Sequence, residues 1–261
     1  MSFWRTCRTL LAATLLAAVM HGSAVAQGVA YLQNHNPWYN TANQSELDTV
    51  FGAGNWNQFT YAVDPSDLFS NHCFVMMEGG ENNDGYLAQF LAANQAAITS
   101  WIMGGGSLYV HVAGWYVSPD FTFLGATYVH NNYDAGAPYG MAANPAHPIF
   151  NGPYTPTGLA WTGNYFSHAY LANIPDYTTL IVDGDGRTIV AEKSLGAGHV
   201  ILSGTTTSYW HSPNAQASNL AKNILAYGAS KANCVPEPGP IALLIGGALT
   251  ATACLRRRRT R

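Results

Sequence analysis

Charge is what this 261-residue sequence has least of: Asp, Glu, Lys and Arg together make up 10% of it. Between residues 27 and 235 the only cations are Arg187, Lys193, Lys222 and Lys231. Four scattered cations cannot form a basic stripe, so nucleic acid is not an expected partner. Cysteine is equally sparse, with Cys7, Cys73, Cys234 and Cys254 the full set. Metal-ligand spacing is absent as well. The central region has His35, His72, His111, His130, His147, His168, His199 and His211, yet no His-x-x-x-His or compact His/carboxylate motif, so neither metal nor cofactor is expected. His35 and Glu78 are the one pair that two strand ends would bring near each other. No internal repeat is visible, and one domain accounts for the length.

With so little charge, a water-facing surface must be made from Asn, Gln, Ser, Thr, Tyr and Gly. Such a surface forms hydrogen bonds without strong fields and suits a protein that lives among polysaccharides.

The two ends carry the long apolar runs. Arg5 and Arg8 precede Leu10–Val19, and Ala24-Val25-Ala26 places small residues where a signal peptidase must fit. Residues 1–26 therefore read as a cleavable signal peptide, with the mature chain starting at Gln27. At the other end Val235-Pro236-Glu237-Pro238-Gly239 precedes the apolar segment 241–255, and Arg256-Arg257-Arg258-Arg259 follows it. As a helix those 15 residues cover about 22 Å, short of a bilayer core of about 30 Å. Flanking arginines that snorkel extend its reach, and they favour the cytoplasmic side.

The Pro236-Glu237-Pro238 triplet, the apolar helix and the basic end together resemble the PEP-CTERM sorting domain, here residues 235–261. The resemblance implies a Gram-negative bacterium and an exosortase-type enzyme as processing partner. It also implies transient anchoring in the inner membrane through the tail helix, then release to the cell surface or exopolysaccharide matrix. Export in turn permits a bridge between Cys73 and Cys234. The position of Cys73 inside an apolar run, and of Cys234 beside the tail, favours a buried free thiol instead.

Residues 27–234 alternate strand and helix signals. Strands are expected at 29–32, 59–63, 72–77 and 108–112, and again at 179–182, 188–191 and 199–202. A short helix capped by Ser45 is expected to end near Gly52. A longer one follows an Asp84 cap, with Leu87, Phe90, Leu91, Ile98, Trp101 and Ile102 on one face. A closing helix starts at Ser212-Pro213 and ends at Gly228. Residues 115–175 lack periodicity and are expected to form an irregular excursion with one or two extra strands. This order predicts an α/β fold with a largely parallel sheet.

Gly104-Gly105-Gly106-Ser107-Leu108, Phe123-Leu124-Gly125-Ala126, His147-Pro148-Ile149-Phe150-Asn151-Gly152 and Gly196-Ala197-Gly198-His199-Val200-Ile201 occur in that order. The order resembles the class I glutamine amidotransferase-like fold in its trehalose-utilisation-like branch, and implies a flavodoxin-like three-layer sandwich. Active members of that family place a nucleophilic cysteine on the turn after the strand that follows the glycine run. Here the place reads Val110-His111-Val112-Ala113-Gly114-Trp115, with no Cys or Ser. The resemblance thus carries the fold without the chemistry.

In open α/β sheets ligands gather beyond the carboxyl ends of the strands. Those ends supply His35, Asn36, Glu78, Glu81, Asn82 and Trp115, a polar cleft with an aromatic wall suited to sugar hydroxyls and ring faces. The expected function is that of an exported, non-catalytic surface or matrix protein that binds carbohydrate. Two other readings stay open: a hydrolase of a glycan or amide acting through Glu78 and His35, and a purely structural matrix protein.

Overall fold

The structure, a computed structural model, describes residues 28–114, 120–130, 140–162 and 165–232. The expected signal segment, the expected sorting tail with Pro236, Glu237 and Pro238, the apolar stretch 241–255 and Trp115 lie outside the described residues. No helix among the described residues is long and apolar enough to cross a membrane.

Five parallel strands organise one half of the sheet. β1 (Gly28–Leu32) pairs with β2 (Trp56–Phe59) on one side and β3 (His72–Glu78) on the other. β4 (Ser107–His111) follows β3, and the last strand in the chain, β12 (Gly198–Ser203), lies beside β4. Their side chains alternate between two cores, as a strand buried on both faces requires. Val75, Met77, Leu108, Val110 and Leu202 face α2 (Pro65–Asn71) and α3 (Asp84–Met103). Phe74, Met76, Tyr109 and Ile201 face α1 (Ala42–Phe51) and α4 (Asn214–Lys231).

The other half is antiparallel. β11 (Thr188–Leu195) pairs with β12 and with β10 (Thr178–Asp183), which continues to β7 (Gly140–Ala142) and β8 (Ala160–Trp161). A branch leaves β11 at Thr188 through β9 (Ala169–Ala172) to β6 (Ala126–His130) and β5 (Phe121–Phe123). The result is a mixed α/β fold whose sheet curls into a half-barrel. The expected parallel pairing is found only in the five-strand half. Of the eleven pairings among the described residues, seven are antiparallel. Five of the seven involve the stretch 115–175, whose described residues hold five strands of two to five residues rather than one or two. Strands that short give no periodicity to read.

Local signals account for the remaining departures. Asp64 caps α2, its carboxylate accepting the Ser66 N–H at 2.8 Å ahead of the Pro65 start. α1 begins three residues before the expected Ser45 cap, with the Asn40 side chain accepting the Ala42 N–H at 2.7 Å. Asp84 is the first residue of α3, and Asn83 occupies the cap position. β2 ends at Phe59, and the Tyr61 hydroxyl, in the turn beyond it, donates to the Glu78 carbonyl at 2.6 Å. Cys73 is not a free thiol: it is disulfide-bonded.

Candidate functional site

The carboxyl ends of the parallel strands build two polar assemblies, one sealed and one open. The sealed one starts at Glu78, the last residue of β3, which is wholly buried. Its Oε2 accepts from the Asn43 amide and lies 3.0 Å from His111 Nδ1, while Oε1 accepts the Gly80 N–H. His111 ends β4, and its Nε2 is 3.0 Å from Thr205 Oγ1. Thr205 in turn lies 2.7 Å from Ser203 Oγ at the end of β12. Carboxylate, imidazole and hydroxyl thus follow one another in the order of a catalytic triad. Burial alone would lower the His111 pKa, but the charge and hydrogen bond of Glu78, helped by Glu46, hold it above its usual value.

Three observations make this relay an interior brace. Glu78 is 0%, His111 3% and Thr205 7% exposed. The cavity against His111 and Thr205 has a volume of about 30 Å³, room for a water molecule and not for a sugar ring. The chain beyond β4, Val112 to Gly114, is buried and offers no thiol or hydroxyl.

The same cavity touches Glu46 on α1. Burial drives the Glu46 carboxyl up from its ordinary 4.5 to about 7, against hydrogen bonds from Ser208 and Ser218. His211, beside it in the cavity wall, is pushed down to about 3 by burial and by His111.

The open assembly lies above. Gln33, Asn34, His35 and Asn36 follow β1, Glu81 and Asn82 follow β3, and together with Tyr39 and Gln58 they line a cleft of about 630 Å³. That volume falls in the ~300–1,000 Å³ range of small-ligand sites. Asn83, 0% exposed, holds the cleft's two loops together. Its Oδ1 accepts the N–H groups of Asn34 and His35 at 2.8 and 2.9 Å, and its Nδ2 donates to the carbonyls of His35 and Gly80 at 2.8 and 3.0 Å. This is why Asn83 caps no helix with its side chain. Asn36 Oδ1 receives the amides of Gln33 and Gln44 at 2.8 and 2.7 Å, which orients the Asn36 side chain. Glu81 accepts the Trp38 N–H.

Of the residues expected at the site, the structure brings His35, Asn36, Glu81 and Asn82 into the cleft. Glu78 is a correction: its carboxylate turns inward to Asn43, Gly80 and His111, so it neither lines the cleft nor meets His35. Trp115 lies outside the described residues. Three positions were missed. Asn83 resembled an ordinary loop amide, Thr205 sits in a Thr-Thr-Thr run with no motif, and Tyr39 carried no spacing signal.

No protein-family profile matches the sequence, and no curated protein matches it. Solved structures are similar to the chain at low identity. A cytoplasmic protein from Salmonella typhimurium LT2 is 13% identical, with 77% of this chain and 99% of that one covered at a TM-score of 0.49. An exo-beta-1,4-mannosidase from Opitutaceae bacterium strain TAV5 is 14% identical over 78% of this chain, at a TM-score of 0.45. The chain spans 36% of that mannosidase. A ThuA-like protein from Bacteroides uniformis ATCC 8492 is 11% identical, with 82% and 97% of the two chains covered at a TM-score of 0.39.

Proposed function

We propose that this chain is an exported, non-catalytic protein of the cell surface or extracellular matrix whose body, residues 27–234, binds carbohydrate. The observation that carries the reading is the open cleft of amide and imidazole side chains at the carboxyl ends of β1 and β3, held rigid by Asn83. Sugar hydroxyls need donors and acceptors fixed in place, and side-chain amides offer both. The disulfide at Cys73 fits an oxidising compartment. Signal peptidase and an exosortase-type enzyme are the processing partners, and the membrane is met only through residues 241–255 before release.

A glycan microarray probed with the full chain in mild detergent tests this reading. Binding to glycans that disappears in the Asn36→Ala/Asn82→Ala double variant supports it, and an array without signal rejects it. The runner-up is a glycan or amide hydrolase, favoured by the Glu81 carboxylate and the His35 imidazole lining one open cleft. Release of reducing ends or ammonia, lost in Glu81→Gln, would put that reading first.

A further inference from the structure

The cleft stops at Tyr39, and a second groove begins there. Tyr39 lines both. The second groove, about 470 Å³ in volume, runs from Trp38 and Tyr39 past Thr41 and Ser45 at the start of α1 to Tyr209 and Trp210. Three of its rings are turned to water: Tyr39 is 93%, Tyr209 59% and Trp210 38% exposed. The Tyr209 and Trp210 rings meet edge-on with centroids 5.1 Å apart, and Tyr165 braces Trp210 from 6.0 Å.

The ridge between the grooves is strained. Trp38, Tyr39 and Glu81 have φ of 50°, 55° and 50°, three of the five non-glycine residues with positive φ among those described. Each costs about 1–2 kcal/mol in that region, and such costs concentrate at ligand clamps. The ridge is fixed from beneath. Glu81 accepts the Trp38 N–H, and a Cβ on Gly80 would come within 3.1 Å of the Trp38 ring. The conformation that costs energy is the one that lifts the Tyr39 ring into solvent between the two grooves.

Resting on the carbohydrate reading above, we propose that the two grooves form one track for a linear, uncharged polysaccharide segment. One sugar ring stacks on Tyr39 at mid-track and another on Trp210 further along. A groove that continues over an exposed ring suits a chain rather than a single sugar, because aromatic faces accept pyranose faces while the flanking amides take the hydroxyls. Charge selects the kind of chain. Neither groove is lined by Lys or Arg, and its one carboxylate is that of Glu81. All four cations of the described residues lie over tyrosines: Arg187 at 5.0 Å from the Tyr170 ring, Lys193 at 4.4 Å from Tyr177, Lys222 at 5.3 Å from Tyr154 and Lys231 at 4.6 Å from Tyr227. A uronate or sulfated chain would meet no counter-charge in the track.

Calorimetric titration of the full chain in mild detergent, with cello-, manno- and laminari-oligosaccharides of two, four and six units, tests the track. A galacturonate hexamer serves as the charged control. For the backbone that binds, affinity is expected to rise roughly tenfold or more from two units to six, as a second contact becomes intramolecular. Trp210→Ala should erase that gain and leave the disaccharide affinity in place, with an unchanged melting temperature to show intact folding. Asn36→Ala should weaken every length. Affinity that does not depend on length, a gain that survives Trp210→Ala, or a galacturonate hexamer that binds as tightly as the neutral one would overturn the track while carbohydrate binding stands. Binding of none of these sugars would overturn both.

Discussion

Asn83 grips the backbone of His35 from both sides, accepting its N–H at 2.9 Å and donating to its carbonyl at 2.8 Å. The two residues are 48 positions apart. One buried amide therefore fixes the loop after β1 against the loop after β3, and the open cleft exists because of that pair. Rigid scaffold beneath and polar side chains above is how a loop site reaches a single geometry.

Asn83→Ala should leave the Asn34 and His35 N–H groups without their acceptor. We expect a loss of about 1–3 kcal/mol, since both N–H groups are only partly buried and water replaces part of what each loses. Urea unfolding measures it. Asn83→Asp keeps the acceptor but places an oxygen against the His35 and Gly80 carbonyls, so it should rescue little.

Glu46 makes the fold less stable in alkali. Its folded pKa of about 7 lies above the ordinary 4.5, so its contribution is fully present below about 4.5 and lost as pH rises through about 7. The raised pKa of His111 acts with the same sign. Glu46→Gln keeps an acceptor for Ser208 without a charge to bury. It should change stability little at pH 5 and raise it at pH 8 by up to about 3 kcal/mol, read from denaturant midpoints at the two pH values.

Two buried histidines contribute to the acid limb. Burial lowers His168 to about 4 and His211 to about 3. Both remain neutral in the fold while the unfolded chain takes up protons near pH 6.5, so stability falls as pH drops from there. Opposed by Glu46, they should place maximum stability between about pH 6 and 7. In His211→Gln, whose Thr206 contact at 2.9 Å an amide can keep, the acid limb should flatten in a pH series of melting temperatures.

Reduction should weaken the fold. Closing a loop by a disulfide stabilises by typically about 2–4 kcal/mol, so dithiothreitol or Cys73→Ser should lower the unfolding midpoint by a corresponding amount. Peptide mapping without reduction should recover Cys73 joined to Cys234, because Cys7 and Cys254 fall in the two segments proposed as signal and sorting tail. A peptide with free Cys73 would count against export.

How much of this was legible in the residues depends on burial. His72–Met77 read as a doubly buried strand because six apolar or neutral side chains in a row leave few other homes. The faces of α3 and α4 read equally well from their spacing. β5 to β9 did not, since strands of two to five residues among glycines and prolines take their shape from a neighbour's edge rather than from their own pattern. At the site, His35, Asn36, Glu81 and Asn82 were found by topology alone: they follow strand ends. Glu78 follows the same rule by position but faces inward, because Asn43, 35 residues away, and His111 offer a buried carboxylate its partners. Nothing in local sequence announces either one.

The most direct test is an amide chemical-shift titration of the ¹⁵N-labelled full chain with a neutral hexasaccharide, with the sugar recovered afterwards. The account predicts saturable shifts concentrated at Asn34–Asn36 and Glu81–Asn82, and a hexasaccharide returned intact. Shifts confined to other surfaces, or shorter sugars in the recovered sample, would contradict it.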